Sequence, residues 1–162
     1  MADDDALLRE LLRLVNRVST DLRSRGYAAG TIAVKLRDFD FTTRRASRTL
    51  DRPVVADRVI MSTARELLAK LRKARRVPAR LLGVGLGALV ERDEPVQLPL
   101  FDQTGTDDES ARDRQIATTL DRVRERFGSQ SIVPARLAKS RALSTVEEDE
   151  IAQEQRGRKR SR

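Results

Sequence analysis

The sequence predicts an α+β fold: an antiparallel or mixed sheet of three to four strands backed by two helices, followed by a C-terminal helix and a disordered tail. Two stretches within the first 90 residues carry apolar side chains at helical spacing, and three other stretches have the pattern of strands. Their order is helix, strand, strand, helix, strand. Both helices are therefore expected on one face of the sheet, which leaves the other face free.

The first helix is expected from Asp5 to Leu22, because apolar residues recur every three or four positions behind an acidic start. It should stop before Gly26, and residues 26–30 are predicted to form a turn. The apolar stripe consists of Leu7, Leu8, Leu11, Leu14, Val15, Val18 and Leu22.

The first strand is predicted over residues 31–37 by strict alternation. Its apolar face contains Ile32, Val34 and Leu36, and its other face contains Thr31, Ala33, Lys35 and Arg37. This pattern indicates a half-buried strand with a basic outer face. A second strand, which is polar throughout, is predicted over residues 42–50.

A second helix is expected to begin near Pro53 and to run to about Arg72, with a strongly basic last turn. Its apolar positions repeat at helical spacing from Val55 to Leu71. After Pro78, residues 80–89 are predicted to form a further strand with small residues on one side.

The chain changes character beyond residue 90. Residues 91–110 are predicted to be a linker, residues 111–138 a tail helix followed by a short strand at 131–133, and residues 139–162 a disordered charged tail. The tail helix is expected either to dock within the chain or to be marginally stable. It is marked by Ile116, Leu120, Val123 and Phe127.

Composition excludes several classes of chemistry. The 162 residues include no Cys and no His, which rules out disulfides, zinc fingers, thiol nucleophiles and Ser-His-Asp triads. No metal site is predicted, because the acidic clusters at 3–5 and 107–109 are better explained as helix starts. The sequence lacks an apolar run of about 18 residues and a secretory signal, so a cytoplasmic protein without membrane association is expected.

The net charge of +8 is concentrated in one segment. Residues 31–82 hold fourteen basic and five acidic residues, whereas residues 1–30 are neutral and residues 83–162 carry a net charge of −1. A segment more basic than the whole chain suits phosphate binding, although a merely solvated surface would show the same charge. The outward strand positions offer no aromatic platform for single-stranded bases, which favours contact with a duplex backbone.

About the first hundred residues resemble the little finger, or polymerase-associated, domain of Y-family DNA polymerases of the bacterial DNA polymerase IV type. The resemblance covers residues ~3–102 and is carried by residues 18–23, 31–37, 40–43, 47–50 and 80–84. It implies that residues 1–90 form a DNA-binding domain whose free sheet face contacts the phosphates of primer–template DNA. The DNA-binding residues that we predict on this basis are Lys35, Arg37, Thr42, Thr43, Arg44, Arg45, Ser47, Arg48 and Arg80.

Two departures from the family pattern affect this face. The usual Thr-Arg-Ser is replaced by Arg45-Ala46-Ser47, so that Arg44, Arg45 and Arg48 are expected to substitute for the missing arginine from neighbouring positions. Gly85 stands where a polar or basic residue is common in the family. Affinity for DNA is therefore expected to be distributed differently over the face.

Residues 97–101, Gln-Leu-Pro-Leu-Phe, fit the bacterial sliding-clamp-binding pentapeptide at every fixed position. In an extended peptide the Gln97 amide can hydrogen-bond while Leu100 and Phe101 enter an apolar pocket. The alternative is a linker whose apolar residues fold back onto the sheet. The predicted clamp-binding residues are Gln97, Leu98, Leu100 and Phe101.

Polymerase chemistry requires carboxylates that hold two divalent ions, and the family carries these in a palm domain that this sequence does not contain. The resemblance thus implies no cofactor in this chain, with magnesium expected only in the absent catalytic core. The first little-finger strand is also expected to be missing, which would leave one edge of the sheet uncovered.

Three functions remain open. The leading one is a non-catalytic module that binds primer–template DNA and the bacterial sliding clamp as the C-terminal part of a translesion polymerase, located in the cytoplasm with the nucleoid. Alternatively, the chain assembles in trans with a separate catalytic polymerase core. A basic RNA- or ribosome-associated protein is less favoured, because it leaves residues 97–101 unexplained.

Overall fold

The computed structural model of the chain describes residues 4–92, 109–128 and 131–138. It divides into two compact units, Met1–Ile132 and Val133–Arg162; the described part of the second contains a single 3-10 turn, Ala135–Leu137. No helix within these described ranges is long and apolar enough to cross a membrane. The elements of the first unit are α1 (Asp4–Ser24), β1 (Tyr27–Asp38), β2 (Thr43–Val54), α2 (Asp57–Ala74), β3 (Ala79–Glu91) and α3 (Ala111–Phe127).

Helix α1 has Asp4 and Asp5 in its first turn, where their negative charge complements the helix dipole. Its apolar stripe faces the core, and Leu7 and Leu11 are almost completely buried. The predicted ends of this helix are confirmed to within two residues. The chain then turns at Gly26, whose φ of +76° lies in the left-handed region that favours glycine.

Strand β1 begins directly after this turn, at Tyr27, so the prediction of a turn over residues 26–30 is wrong beyond Gly26. Gly30 lies within the strand because β3 passes close to it. A Cβ atom on Gly30 would lie 3.2 Å from both the Cβ and the carbonyl oxygen of Ala88. The glycine therefore permits a close approach of two strands rather than a change of direction.

The described residues form a three-stranded antiparallel sheet in the order β2-β1-β3, with β1 in the centre. Both neighbours pair regularly with β1 from Arg37 back to Thr31. Beyond that point the β2 ladder is interrupted, since Thr31 pairs with Thr49 but Ala29 pairs with Val54. Strand β2 thus bulges near its end, and a bulge of this kind bends a strand.

The core lies between the sheet and helices α1 and α2. Ile32, Val34 and Leu36 point from β1 toward the helices and are fully buried, as their alternation predicts. They belong to one cluster with Leu11 of α1 and Ile60 of α2. The predicted α+β class, with two helices behind a sheet, is confirmed.

Helix α3 is held against α1 and α2 by charged groups. Arg23 of α1 is buried and donates hydrogen bonds to Asp121 of α3 at 2.5 and 2.9 Å, and to Asp57 of α2 at 2.5 Å. Burial acts to lower the pKa of Arg23, but the hydrogen bonds and charges of Asp121 and Asp57 outweigh it and raise that pKa. Two apolar residues that mark this helix in the sequence, Ile116 and Phe127, are 48% and 68% exposed. The helix therefore docks within the chain, through contacts that its apolar pattern does not reveal.

Glu109 connects the segment before α3 to the start of α2. Its buried carboxylate accepts hydrogen bonds from the N–H of Val55, at 2.8 Å, and from the N–H of Ala56. These bonds satisfy backbone donors at the amino end of α2, where Ala56 is the cap residue and offers no side-chain acceptor.

The short strand predicted at residues 131–133 does not form. Ser131 instead turns back on Gly128, whose carbonyl accepts hydrogen bonds from the Ser131 N–H at 3.1 Å and from its hydroxyl at 2.7 Å. The carbonyl of Ile132 accepts a hydrogen bond from Arg124 Nε at 3.2 Å. Ser131 and Ile132 are thus bonded to the end of α3 and to the residue after it.

Candidate nucleic-acid interface

The exposed side of the sheet, which we call the outer face, is built from alternate residues of the three strands. The pairing of β1 with its two neighbours arranges these residues in four rows. From the turn end of the sheet, the rows are Thr43, Arg37 and Leu81; Arg45, Lys35 and Gly83; Ser47, Ala33 and Gly85; and Thr49, Thr31 and Gly87.

Three cations lie close together on this face. Lys35 and Arg37 project from β1, as the alternation predicts, and Arg45 stands directly opposite Lys35 on β2. All three residues are exposed, and no carboxylate among the described residues is paired with them. Like charges that face each other across an antiparallel pair destabilise it. An anion bound between them would remove this repulsion.

Hydroxyl groups border these cations on the β2 side. Thr43 and Ser47 are both exposed on the outer face. Thr42 lies outside the strand, in the turn, where its N–H donates to Asp40 Oδ1 at 3.2 Å and its carbonyl accepts from the N–H of Asp38 at 2.9 Å. Of the predicted hydroxyl residues, Thr43 and Ser47 therefore belong to the face, whereas Thr42 lies at its margin.

Arg44 and Arg48, which belong to the predicted DNA-binding set, do not lie on the outer face. Arg44 donates from Nε and Nη2 to the two carboxylate oxygens of Asp38, at 2.9 and 2.7 Å. Arg48 is paired with Glu66 of α2 at 2.8 Å. Both are even-numbered residues of a strand whose odd-numbered residues point outward. The sequence alone does not reveal this, because β2 is polar on both sides.

Asp38 is the buried anchor of the turn between β1 and β2. It is fully buried, and Arg75 also pairs with it, at 3.2 Å. A second bond from Arg75, at 2.7 Å, reaches Asp40, and this hydrogen bond, together with one from the Thr42 backbone, holds the pKa of Asp40 below its usual range. The turn is therefore fixed by ion pairs on the side of the sheet that faces the helices.

An aromatic ring that is absent from the predicted set lies at one corner of the outer face. Phe41 is 56% exposed, and the guanidinium carbons of Arg37 and Arg80 lie 5.1 and 4.9 Å from its ring centroid. Arg80 reaches this corner because β3 has one extra residue there, which leaves Arg80 outside the regular ladder. The sequence contains one sign of this site, namely an aromatic residue in a polar turn between two strands that carry basic residues.

Strand β3 contributes little side-chain volume to the outer face, since Gly83, Gly85 and Gly87 occupy three of its four positions. Packing does not require these glycines. A Cβ atom on Gly85 would meet nothing within 4 Å, and one on Gly87 would lie 3.7 Å from the Thr31 Cβ, an ordinary contact. The outer face is thus flat along β3 and open to close approach.

No group of three or more acidic side chains within the described residues could hold a metal ion. The predicted clamp-binding residues, Gln97, Leu98, Leu100 and Phe101, lie outside the described residues, as does the predicted tail at 139–162. The outer face is therefore the part of the candidate site whose geometry the structure provides.

Comparison with known proteins places the chain in a family. Residues 1–100 match the impB/mucB/samB family C-terminal domain. The chain is 33% identical over 135 residues to DNA polymerase IV of Caulobacter vibrioides, an alignment that covers 82% of this chain and 31% of that protein. It is 32% identical over 125 residues to DNA polymerase IV of Pelotomaculum thermopropionicum, covering 77% of this chain and 29% of that protein.

A third relative, DNA polymerase IV of Dehalococcoides mccartyi, is 28% identical over 127 residues, which covers 78% of this chain and 30% of the relative. The chain therefore spans less than a third of the length of these three relatives. The resemblance to the little finger of bacterial DNA polymerase IV is confirmed, and the chain belongs to the impB/mucB/samB family through that family's C-terminal domain.

Proposed function

We propose that this chain binds the backbone of duplex primer–template DNA with its outer face and attaches to a bacterial sliding clamp through residues 97–101, as the C-terminal part of a translesion DNA polymerase. The named relatives are DNA polymerases, which favours DNA as the ligand. Such a protein would work on the nucleoid, in the cytoplasm.

The observation that carries the DNA proposal is the cluster of Lys35, Arg37 and Arg45. Cations that serve the fold are usually paired with carboxylates, as Arg44 is with Asp38. These three have no such partner among the described residues, and the register brings two of them face to face. A phosphate backbone supplies the missing negative charge, and its release of bound counterions adds salt-sensitive affinity.

The rest of the outer face suits a phosphate backbone better than base edges. Thr43 and Ser47 can donate hydrogen bonds to phosphate oxygens, a contact that positions a protein without reading sequence. The glycines of β3 leave room for the backbone of a ligand to approach the sheet closely. We therefore expect binding with little sequence preference.

Charge reversal on the outer face tests this proposal, and the control variant changes the net charge of the chain by the same amount elsewhere. Lys35→Glu with Arg37→Glu should weaken binding to a primer–template duplex on the order of 100-fold, and the log–log salt slope should shrink by about two. The matched control is Lys70→Glu with Lys73→Glu, which alters the net charge equally on the exposed side of α2. Equal losses in both double variants would mean that only net charge matters and would refute the assignment of the face.

Tighter binding to an A-form RNA duplex than to the DNA duplex would instead favour the RNA-associated function.

The clamp proposal rests on the fit of Gln97, Leu98, Leu100 and Phe101 to the clamp-binding pentapeptide. An extended segment of this kind is recognised through backbone hydrogen bonds and a few apolar anchors. Replacing Gln97, Leu100 and Phe101 together by Ala should abolish co-elution with a purified bacterial sliding clamp. Replacing the adjacent Asp102, Gln103 and Thr104 by Ala is the control and should leave co-elution intact. Persistent co-elution of the first variant would refute the clamp role.

Under the proposed function, polymerase segments outside this sequence carry out the metal-dependent nucleotide transfer. The reaction requires carboxylates that hold two divalent ions, with magnesium as the expected metal. The purified chain alone should therefore extend no primer in the presence of magnesium and deoxynucleotides. Extension that appears only after a separate catalytic polymerase core is added would favour assembly in trans, and extension by the chain alone would contradict a non-catalytic role.

A further inference from the structure

The corner of the outer face formed by Arg37, Phe41 and Arg80 has an arrangement that general basicity does not explain. Two guanidinium groups lie within 5.1 Å of the centroid of one exposed aromatic ring. A ring attracts each cation through its quadrupole, but the two cations repel each other. The ring therefore gathers the positive charges of two guanidinium groups at one place and does not neutralise them.

A carboxylate at the position of Phe41 would orient the same two arginines more strongly, but it would also cancel their charge. The aromatic ring orients them and leaves their charge available to an incoming anion. The acidic residue that precedes Phe41 in the turn, Asp40, is already bonded to Arg75 at 2.7 Å and to the Thr42 N–H at 3.2 Å. The arrangement thus favours a ligand with negative charge.

The position of the ring is fixed by an unusual backbone. Phe41 has a φ of +68°, a left-handed conformation that is rare for a bulky residue and is enriched at functional sites. Its N–H donates to the Asp38 carbonyl at 3.0 Å, and the N–H of Phe39 donates to the Pro78 carbonyl at 2.9 Å. The second bond ties the turn to the start of β3, two residues before Arg80.

We propose that Phe41 is a positioning residue that holds Arg37 and Arg80 as a two-guanidinium site for a single phosphodiester group of the DNA backbone. This inference rests on the proposed binding of DNA by the outer face. Two guanidinium forks that converge on one phosphate can bond several of its oxygens, and the bound anion removes the repulsion between the arginines. The role of Phe41 is indirect, because it orients the two arginines and the arginines bind the phosphate.

The first test is the affinity for a primer–template duplex as a function of salt concentration. Phe41→Leu keeps an apolar side chain but removes the ring, and it should weaken binding about fivefold and reduce the magnitude of the salt slope by up to about one. Phe41→Tyr keeps the ring and should bind within about twofold of the original chain. Phe39→Leu is the matched control, because Phe39 is a phenylalanine of the same turn that is also exposed, at 68% against 56% for Phe41, and no cation lies over its ring among the described residues. It should bind as the original chain does.

A double-variant comparison separates positioning from a general loss of turn structure. Arg80→Gln should weaken binding severalfold in the original chain but by less than about twofold when Phe41 is already Leu, because the ring that orients Arg80 is then gone. Independent effects of the two changes would overturn the proposal. So would a Phe41→Leu variant that binds as tightly, and with the same salt slope, as the original chain.

A second measurement does not depend on DNA. In the free chain, the Nε–Hε resonances of Arg37 and Arg80 should be shifted upfield by the Phe41 ring current, and Phe41→Leu should remove this shift. Titration with inorganic phosphate should move both resonances together in the original chain and less in the variant. If the chain fails to bind DNA but shows both effects, the proposed DNA function fails while the anion site stands. Absence of the ring-current shift would overturn the site itself.

Discussion

Arg37 and Arg44 lie on neighbouring positions of the β1–β2 ladder, yet their side chains meet opposite environments. Arg44 bonds both oxygens of the buried Asp38 carboxylate and also donates to the carbonyl of Leu71. Arg37 projects from the outer face, where its guanidinium lies over the ring of Phe41. The difference separates arginines that hold the fold together from arginines that remain available to a ligand, and no count of basic residues makes that separation.

Arg23, at the contact of α1 with α2 and α3, is a second example of an arginine whose charge serves the fold. Arg23 is buried among Asp57, Asp121 and the carbonyl of Val55, and it joins α1, α2 and α3 at one point. Its charge is therefore committed to the structure. The outer face and the Arg23 site contain the same kind of side chain, and partners alone distinguish their roles.

The largest expected effect is on the Arg23 site. Arg23→Ala should lower the free energy of unfolding by about 4 kcal/mol, because the carboxylates of Asp57 and Asp121 lose the cation that compensates them in a partly buried site. Urea denaturation measures the loss, and amide exchange in α3 should accelerate. The control is Arg25→Ala, which removes an exposed pair with Asp21 and should cost less than about 0.5 kcal/mol. Similar losses in the two variants would contradict the structural role of Arg23.

The contrast between Arg44 and Arg37 is tested directly by exchanging each for Gln. Arg44→Gln should lower the free energy of unfolding by about 3 kcal/mol, since Arg75 is then the one charged partner that the buried Asp38 keeps among the described residues. The change should leave the DNA affinity of the folded chain within about twofold. Arg37→Gln should change stability by less than about 0.5 kcal/mol and weaken DNA binding about tenfold. Denaturation and filter binding on the same two proteins give both quantities. A stability loss for Arg37→Gln or a DNA defect confined to Arg44→Gln would reverse the assignment.

Gly85 allows the outer face to be probed by a change that the fold should tolerate. Nothing lies within 4 Å of a Cβ atom at this position, so Gly85→Arg and Gly85→Glu should both fold normally. Gly85→Arg should strengthen duplex binding severalfold, and Gly85→Glu should weaken it by a similar factor, because the two side chains place opposite charges beside the phosphate path. Gly85→Gln serves as the neutral control. Shifts of the same sign for Arg and Glu would show that DNA does not approach this part of the face.

The smallest expected effect concerns the pH dependence of α3 docking. Hydrogen bonds from the Arg58 and Ser110 side chains hold the pKa of Asp113 below its usual range. A carboxyl group with a lower pKa in the folded state stabilises the fold when ionised, and the contribution is lost as pH falls below its unfolded pKa of about 3.9. The difference in Tm between the original chain and Asp113→Asn should therefore be constant from pH 7 to pH 5 and shrink below pH 4. Glu125→Gln, an exposed change on the same helix, is the control. A difference that grows with acidity would contradict this linkage.

The sequence predicts those helices and strands whose buried and exposed sides follow from the spacing of neighbouring residues. The stripe of α1 and the alternation of β1 place Leu7, Ile32 and Lys35 on the sides that they occupy in the structure. Features that depend on distant partners escape such a pattern. Arg44 turns inward because Asp38 is buried there, and Gly30 continues a strand because Ala88 approaches it.

The candidate site shows the same division. Lys35 and Arg37 face outward as predicted from spacing alone, whereas the side of β2 is undetermined in a strand that is polar throughout. The Phe41 corner requires a turn with positive φ and a bulge that displaces Arg80, neither of which has a local signature in this sequence. The docking of α3 depends on the buried Arg23 and on the carboxylate of Asp121, which lies 98 residues further along the chain.

The residues at the two ends of the segment between residues 92 and 109 are both bonded to the folded domain. At one end the N–H of Arg92 is bonded to the carbonyl of Gly26 at 2.8 Å, and at the other Glu109 is bonded to Val55. A chain extends by at most about 3.5 Å per residue, so Gln97 stays within roughly 17 Å of Arg92. A clamp engaged by residues 97–101 would be kept beside the end of the sheet by a two-ended tether. Loss of the Glu109 bonds would free the downstream arm but would leave unchanged the upper limit of roughly 17 Å that the upstream arm sets on the distance of Gln97 from Arg92.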